Sequence, residues 1–143
     1  MGIPESVKKR LKQLEEHLIR LEEMQGRGRK AFFTQWEVQD VVLRNFQVAI
    51  EICLDIGTYL ISQKRWNPPA NYVEVFNILQ ERGVIPHKMA EEFKKLTRFR
   101  NIIVHEYLYL DSEKIYANLQ RVSLFRDYAK SLTEVFLPNH PRK

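Results

Sequence analysis

Residues 97–111 read TRFRNIIVHEYLYLD, and the periodicity that leads into them decides the fold. From Lys88 onward Met89, Phe93, Leu96, Ile103 and Val104 recur at spacings that place them on one side of a helix. At roughly 100° per residue, Arg100 falls in the middle of that apolar stripe, and Tyr107 is expected almost directly above it. His105 falls on a second stripe with Lys94, Arg98 and Asn101. The expected helix therefore has an apolar face interrupted by an arginine, and beside it a cationic face that ends in a histidine.

An arginine on a buried face is unfavourable unless paired, because its charge cannot be shed. Its guanidinium grips a phosphate or a carboxylate with two prongs. A histidine is suited to general acid–base work. A phosphate clamp beside a proton carrier is the minimum apparatus for cleaving a phosphodiester through the neighbouring 2′-hydroxyl. Taken alone, the spacing arginine, four residues, histidine is short and arises by chance. A helical arginine often snorkels to solvent and a helical histidine often only bonds locally.

Outward from this stretch the chain reads as helical throughout. Residues 5–25 form a first amphipathic helix with Leu11, Leu14, Leu18 and Leu21 on one side. The segment QGRGRK, residues 25–30, reads as a turn, either a solvated loop or a basic finger on a nucleic-acid backbone. Residues 33–63 read as one long helix, apolar around most of its circumference through Trp36, Val41, Val42, Phe46, Ile50, Cys53, Leu54, Leu60 and Ile61. Its one polar stripe is Glu37, Asp40, Arg44, Gln47, Glu51, Asp55, Thr58 and Ser62. Either Glu51 or Asp55 is expected to pair with Arg100, which offsets the burial of the guanidinium and fixes it for a phosphate.

The link WNPPAN ends that helix. Asn71 caps a helix over 72–82 whose Tyr72, Val73, Phe76 and Leu79 are expected to face inward. Gly83 closes it, and Pro86 opens the central helix. Asp111 or Ser112 caps a last helix carrying Ile115, Leu119, Val122, Leu132 and Val135, and Pro138 to Lys143 reads as a frayed tail.

Composition sets the bounds. The chain has 143 residues, 44% hydrophobic and 29% charged, which fits one folded domain, 1–143, with its own core. A net charge of +5 permits contact with RNA without demanding it. No apolar run reaches the length of a membrane span and no secretory leader is read, so a cytoplasmic protein without membrane association is expected. The single cysteine, Cys53, forbids an internal disulfide. The histidines His17, His87, His105 and His140 lack ligand spacing, so no metal site and no cofactor is expected.

The string RNIIVHEY resembles the R-x4-H-x-Y signature of the HEPN superfamily in its HepT-like toxin branch. Arg100, Asn101, His105 and Tyr107 occupy the signature positions. The flanking PANYVEVFNILQERGVIP and LDSEKIYANLQ are also similar to that family, and the best-matching core is 33–136. The resemblance implies an all-α, up-and-down bundle of about five helices that dimerises. It implies a metal-independent endoribonuclease toxin and a cognate MNT-type nucleotidyltransferase antitoxin that adds AMP to the motif tyrosine, here Tyr107, with Tyr109 and Tyr116 nearby. On that basis Arg100, His105 and Asn101 are the expected catalytic set, Glu51 or Asp55 supports them, and Lys94 and Arg98 steer RNA. The alternative is a non-catalytic HEPN module that docks a nucleotidyltransferase or a nucleotide; a further one is an inert helical dimerisation protein.

Overall fold

The computed structural model describes residues 2–137; the Tyr107 side chain lies outside that description, as does the tail expected from Pro138 to Lys143. Seven α-helices follow one another within it, α1 Glu5–Gly26, α2 Gly28–Thr34, α3 Trp36–Gln63, α4 Tyr72–Glu81, α5 His87–His105, α6 Ser112–Leu119 and α7 Ser123–Phe136, with a 3-10 turn at Tyr107–Tyr109. No strand occurs among the described residues.

Two of the expected helices are each divided in the structure. The helix read as 33–63 is α2 and α3, because Gln35 is extended at φ −116 and ψ 106. The carbonyl of Phe32 then accepts a hydrogen bond from Gln39 Nε2 at 3.0 Å, and the Phe32 ring is fully buried. Anchoring of that ring competes with a straight helix and prevails. The turn read at QGRGRK shrinks to Arg27 and Gly28, whose φ of +87 only glycine adopts freely. Arg29 is not a free basic finger: it pairs with Glu113 and stands over the rings of Phe33 and Tyr116. The helix read from residue 112 onward breaks at 120–122, where Arg121 is tied to Glu92 of α5.

The remaining boundaries follow from local chemistry. Asn71 Oδ1 accepts from the Glu74 N–H at 3.0 Å, and Asp111 Oδ1 from the Glu113 N–H at 2.9 Å. Gly83, at φ +72, ends α4, and the Val84 N–H donates back to the Leu79 carbonyl at 2.9 Å.

The long α3 is the axis of the bundle. Val38, Val42, Phe46, Ala49, Ile50, Cys53, Ile56, Leu60 and Ile61 are all buried along it. Leu14, Leu18 and Leu21 of α1 pack on one side, and Phe76, Phe93, Phe125 and Tyr128 from α4, α5 and α7 meet in an aromatic cluster on another. Trp36 departs from the expected all-round burial, being 71% exposed at the first turn of α3. Arg126 of α7 clamps Glu15 and Glu22 of α1, and its hydrogen bonds hold the Glu22 carboxyl below the usual range.

The core is tightest at Gly57. A Cβ there would lie 2.6 Å from Tyr128 Oη and 2.9 Å from Val75 Cγ1. The same hydroxyl donates to the Cys53 carbonyl at 2.8 Å, so α7 is hooked onto α3 where α3 has no side chain. Burial pushes the Tyr128 hydroxyl and the Cys53 thiol well above their ordinary values, and both stay protonated. In an ordinary helix Gly→Ala is stabilising. Here Gly57→Ala is expected to lower stability by roughly 1–3 kcal/mol through overpacking. Chemical denaturation should show that adding Tyr128→Phe costs less in the Gly57→Ala background than alone, since it removes the nearest clash.

Candidate functional site

Arg100 lies on α5 where that helix crosses α3. The inward face of α5 is formed by Ala90, Phe93, Leu96 and Thr97, and it carries Arg100 toward Gln47 and Glu51, the half-buried middle of the polar stripe of α3. The Arg100 side chain is 15% exposed. Its Nε and Nη2 donate to Glu51 Oε2 at 3.0 and 2.6 Å, and its Nη1 donates to Asn101 Oδ1 at 3.1 Å. The guanidinium carbon stands 5.5 Å from the centre of the Tyr72 ring on α4. Three helices thus hold one cation, and the desolvation that burial imposes on it is offset by a carboxylate.

Glu51 is therefore the partner of Arg100, and Asp55 is not. The Asp55 side chain is 61% exposed and stands 3.9 Å from Arg10 of α1. Partial burial, as its largest cause, raises the Asp55 pKa, although Arg10 opposes it. The two acids are one turn apart on the same stripe, so spacing alone does not separate them. What separates them is the position at which α5 crosses.

The cationic face also differs from its expected form. Lys94 is only 14% exposed and its Nζ is bound to Glu91 at 2.8 Å, so its charge is spent within α5. Arg98 is exposed. Asn101 lies against the guanidinium, with its oxygen committed there.

The motif does not lie on one uninterrupted helix. His105 is the last residue of α5 and is exposed; Glu106 leaves the helix at φ −136 and ψ 39. Tyr107 opens the 3-10 turn, so its backbone lies beyond the helix on which its alignment with Arg100 is expected. Arg100 and His105 are offset along the axis by about 7.5 Å and occupy different sides of α5. Val104, Leu108 and Tyr109 around this helix end are exposed. Tyr72, expected to face inward, is 52% exposed: it is the first residue of α4, and the inward face of that helix is Val75, Phe76, Ile78 and Leu79. The proximity of Tyr72 to Arg100 carries no signal in the sequence. Among the described residues no three of His, Cys, Asp and Glu gather as metal ligands, and no helix is long and apolar enough to cross a membrane.

This architecture matches solved structures. It superposes on a tri-AMPylated Shewanella oneidensis HEPN toxin, solved in complex with MNT antitoxin, with a TM-score of 0.86 at 22% identity, covering 91% of this chain and 98% of that one. The fold is that of the HEPN toxins. Among curated proteins the chain is similar to the mRNA nuclease HepT of Shewanella oneidensis, 30% identical over 88 residues, and to the putative RNase YutE of Bacillus subtilis, 31% identical over 86. These alignments cover 62% and 58% of this chain, and the chain spans only 65% and 60% of the lengths of those two relatives. The family model described as ribonuclease HepT-like matches residues 14–132. The chain belongs to the ribonuclease HepT-like family.

The ion pair predicts unequal effects of removing the two acids. Glu51→Ala leaves a largely buried guanidinium without its carboxylate and is expected to lower stability by roughly 1–3 kcal/mol. Asp55→Ala is expected to stay within about 0.5 kcal/mol of the parent chain. Thermal and urea unfolding of the two variants checks the order.

Proposed function

We propose that the protein is a metal-independent endoribonuclease toxin of a toxin–antitoxin pair. The observation that carries this is Arg100, a cation drawn out of water and aligned by Glu51 and Asn101, five residues before an exposed histidine. Membership of the ribonuclease HepT-like family supports the same activity.

In this mechanism His105 takes the proton from a ribose 2′-hydroxyl. The 2′-oxygen attacks the adjacent phosphorus, and the bond to the 5′-oxygen breaks. A 2′,3′-cyclic phosphate and a 5′-hydroxyl end result, the latter protonated from water or from a second imidazole. The guanidinium of Arg100 stabilises the charge that builds on the phosphorane. Asn101 keeps the guanidinium oriented, and Arg98 steers the RNA; Lys94, already paired, has little charge to lend.

The offset between Arg100 and His105, together with exposed Val104, Leu108 and Tyr109, supports a homodimer in which both helix ends line one cleft. A nucleotidyltransferase of the MNT type is the proposed partner, as in the complex of the Shewanella toxin. The Tyr107 oxygen would bond to the α-phosphorus of ATP, pyrophosphate would leave, and the phenolic proton would pass to a base of the transferase. Negative charge at the motif then opposes RNA phosphate.

Purified protein should cleave synthetic RNA in the presence of a chelator. His105→Ala is expected to slow cleavage by about 10²–10⁴-fold, and Arg100→Ala by about 10²–10³-fold. Full cleavage by His105→Ala would reject this assignment, and binding of RNA without any cleavage by the parent chain would favour the docking module. Mass spectrometry after co-expression with the transferase should find AMP on Tyr107; an unmodified tyrosine there would reject that regulation.

A further inference from the structure

Tyr72 is the residue that the proposed mechanism leaves unexplained. It is a large aromatic, 52% exposed, on a helix whose own apolar stripe does not need it. Among the described aromatic residues it is the one whose ring lies over Arg100, at 5.5 Å. The Asn71 cap and the preceding proline link set where α4 begins, and so fix the backbone from which the ring projects.

We infer that Tyr72 is a stacking platform for an unpaired base next to the phosphate held by Arg100, and that the substrate is single-stranded RNA at that point. The inference rests on the ribonuclease function proposed above. Glu51 takes Nε and one N–H of Nη2, and Asn101 takes one N–H of Nη1. One N–H on each terminal nitrogen therefore engages no protein acceptor among the described residues and is left for phosphate oxygens. The guanidinium carbon stands over the Tyr72 ring at 5.5 Å from its centre, and the 52% exposure of Tyr72 leaves aromatic surface for a ligand. In a nucleotide the base and its phosphate are separated by a single ribose, so an anchored phosphate delivers the adjoining base to a ring beside the anchor. Every base has a π-face, so the contact favours no sequence. In a duplex those faces are already stacked on their neighbours, and Tyr72 gains nothing from them.

The test uses the full chain carrying His105→Ala, so that binding is read without turnover, and a short RNA with one 2-aminopurine. The fluorescence of the probe should be quenched on binding. Tyr72→Ala and Tyr72→Leu should each weaken binding of the single strand by about 10-fold and abolish the quenching. Tyr72→Phe and Tyr72→Trp should keep both, and affinity for the matching duplex should not change with any of the four. Equal loss on the duplex, retention of binding by Tyr72→Leu, or failure of Tyr72→Phe would overturn the platform. The cleavage assay on the parent chain is independent of this result: a chain that binds and quenches without cutting fails as a nuclease and keeps its platform. A chain that cuts equally well with Tyr72→Ala remains a nuclease without one.

Discussion

The ion pair between Arg100 and Glu51 is the constraint on which the rest of the site depends. A guanidinium cannot leave water without a carboxylate or phosphate, and it cannot shed its charge. Placing it on α5, where that helix crosses α3, commits Glu51 to the crossing and Asn101 to the other end of the guanidinium. Both contacts are hydrogen-bonded and directional, so they fix the plane of the group as well as its position. A cation held this way needs no reorganisation to meet an anion, and that is what transition-state stabilisation requires.

The core serves that crossing. Gly57 lets Tyr128 reach the backbone of α3, and the aromatic cluster of Phe76, Phe93, Phe125 and Tyr128 joins α4, α5 and α7 around it. Pairs on the outside, Arg126 with Glu15 and Glu22 and Arg121 with Glu92, hold α7 and the α6–α7 break against α1 and α5. The exposed Arg126 pairs contribute little each, and their part is mainly to set register. The strongly apolar circumference of α3 therefore organises the bundle, and its one polar stripe provides the acid that the site uses.

His105 sits differently. It ends α5, and the chain leaves helical geometry at the next residue. The motif is thus half on a helix and half on a turn, with the anchored cation on the first part and His105 at the boundary. A short signature read on a helical wheel conceals such a boundary, because the apolar spacing up to Val104 does not mark where the helix ends.

Periodicity and capping chemistry were sufficient for an all-helical fold, for the start of α4 at Asn71, for its end at Gly83, and for an arginine needing an acid on the polar stripe of α3. The string from Arg100 to Tyr107 was sufficient for the family, which the match over residues 14–132 establishes. Only the tertiary structure decided that the acid is Glu51 and not Asp55, that α2 and α3 part at Gln35, that Lys94 is paired, and that Tyr72 stands outside beside Arg100. The physical reason is common to all four. Local sequence sets which side of a helix a residue occupies. Which turn of that side meets a neighbour depends on where helices cross, and that is settled by packing between residues far apart in the chain.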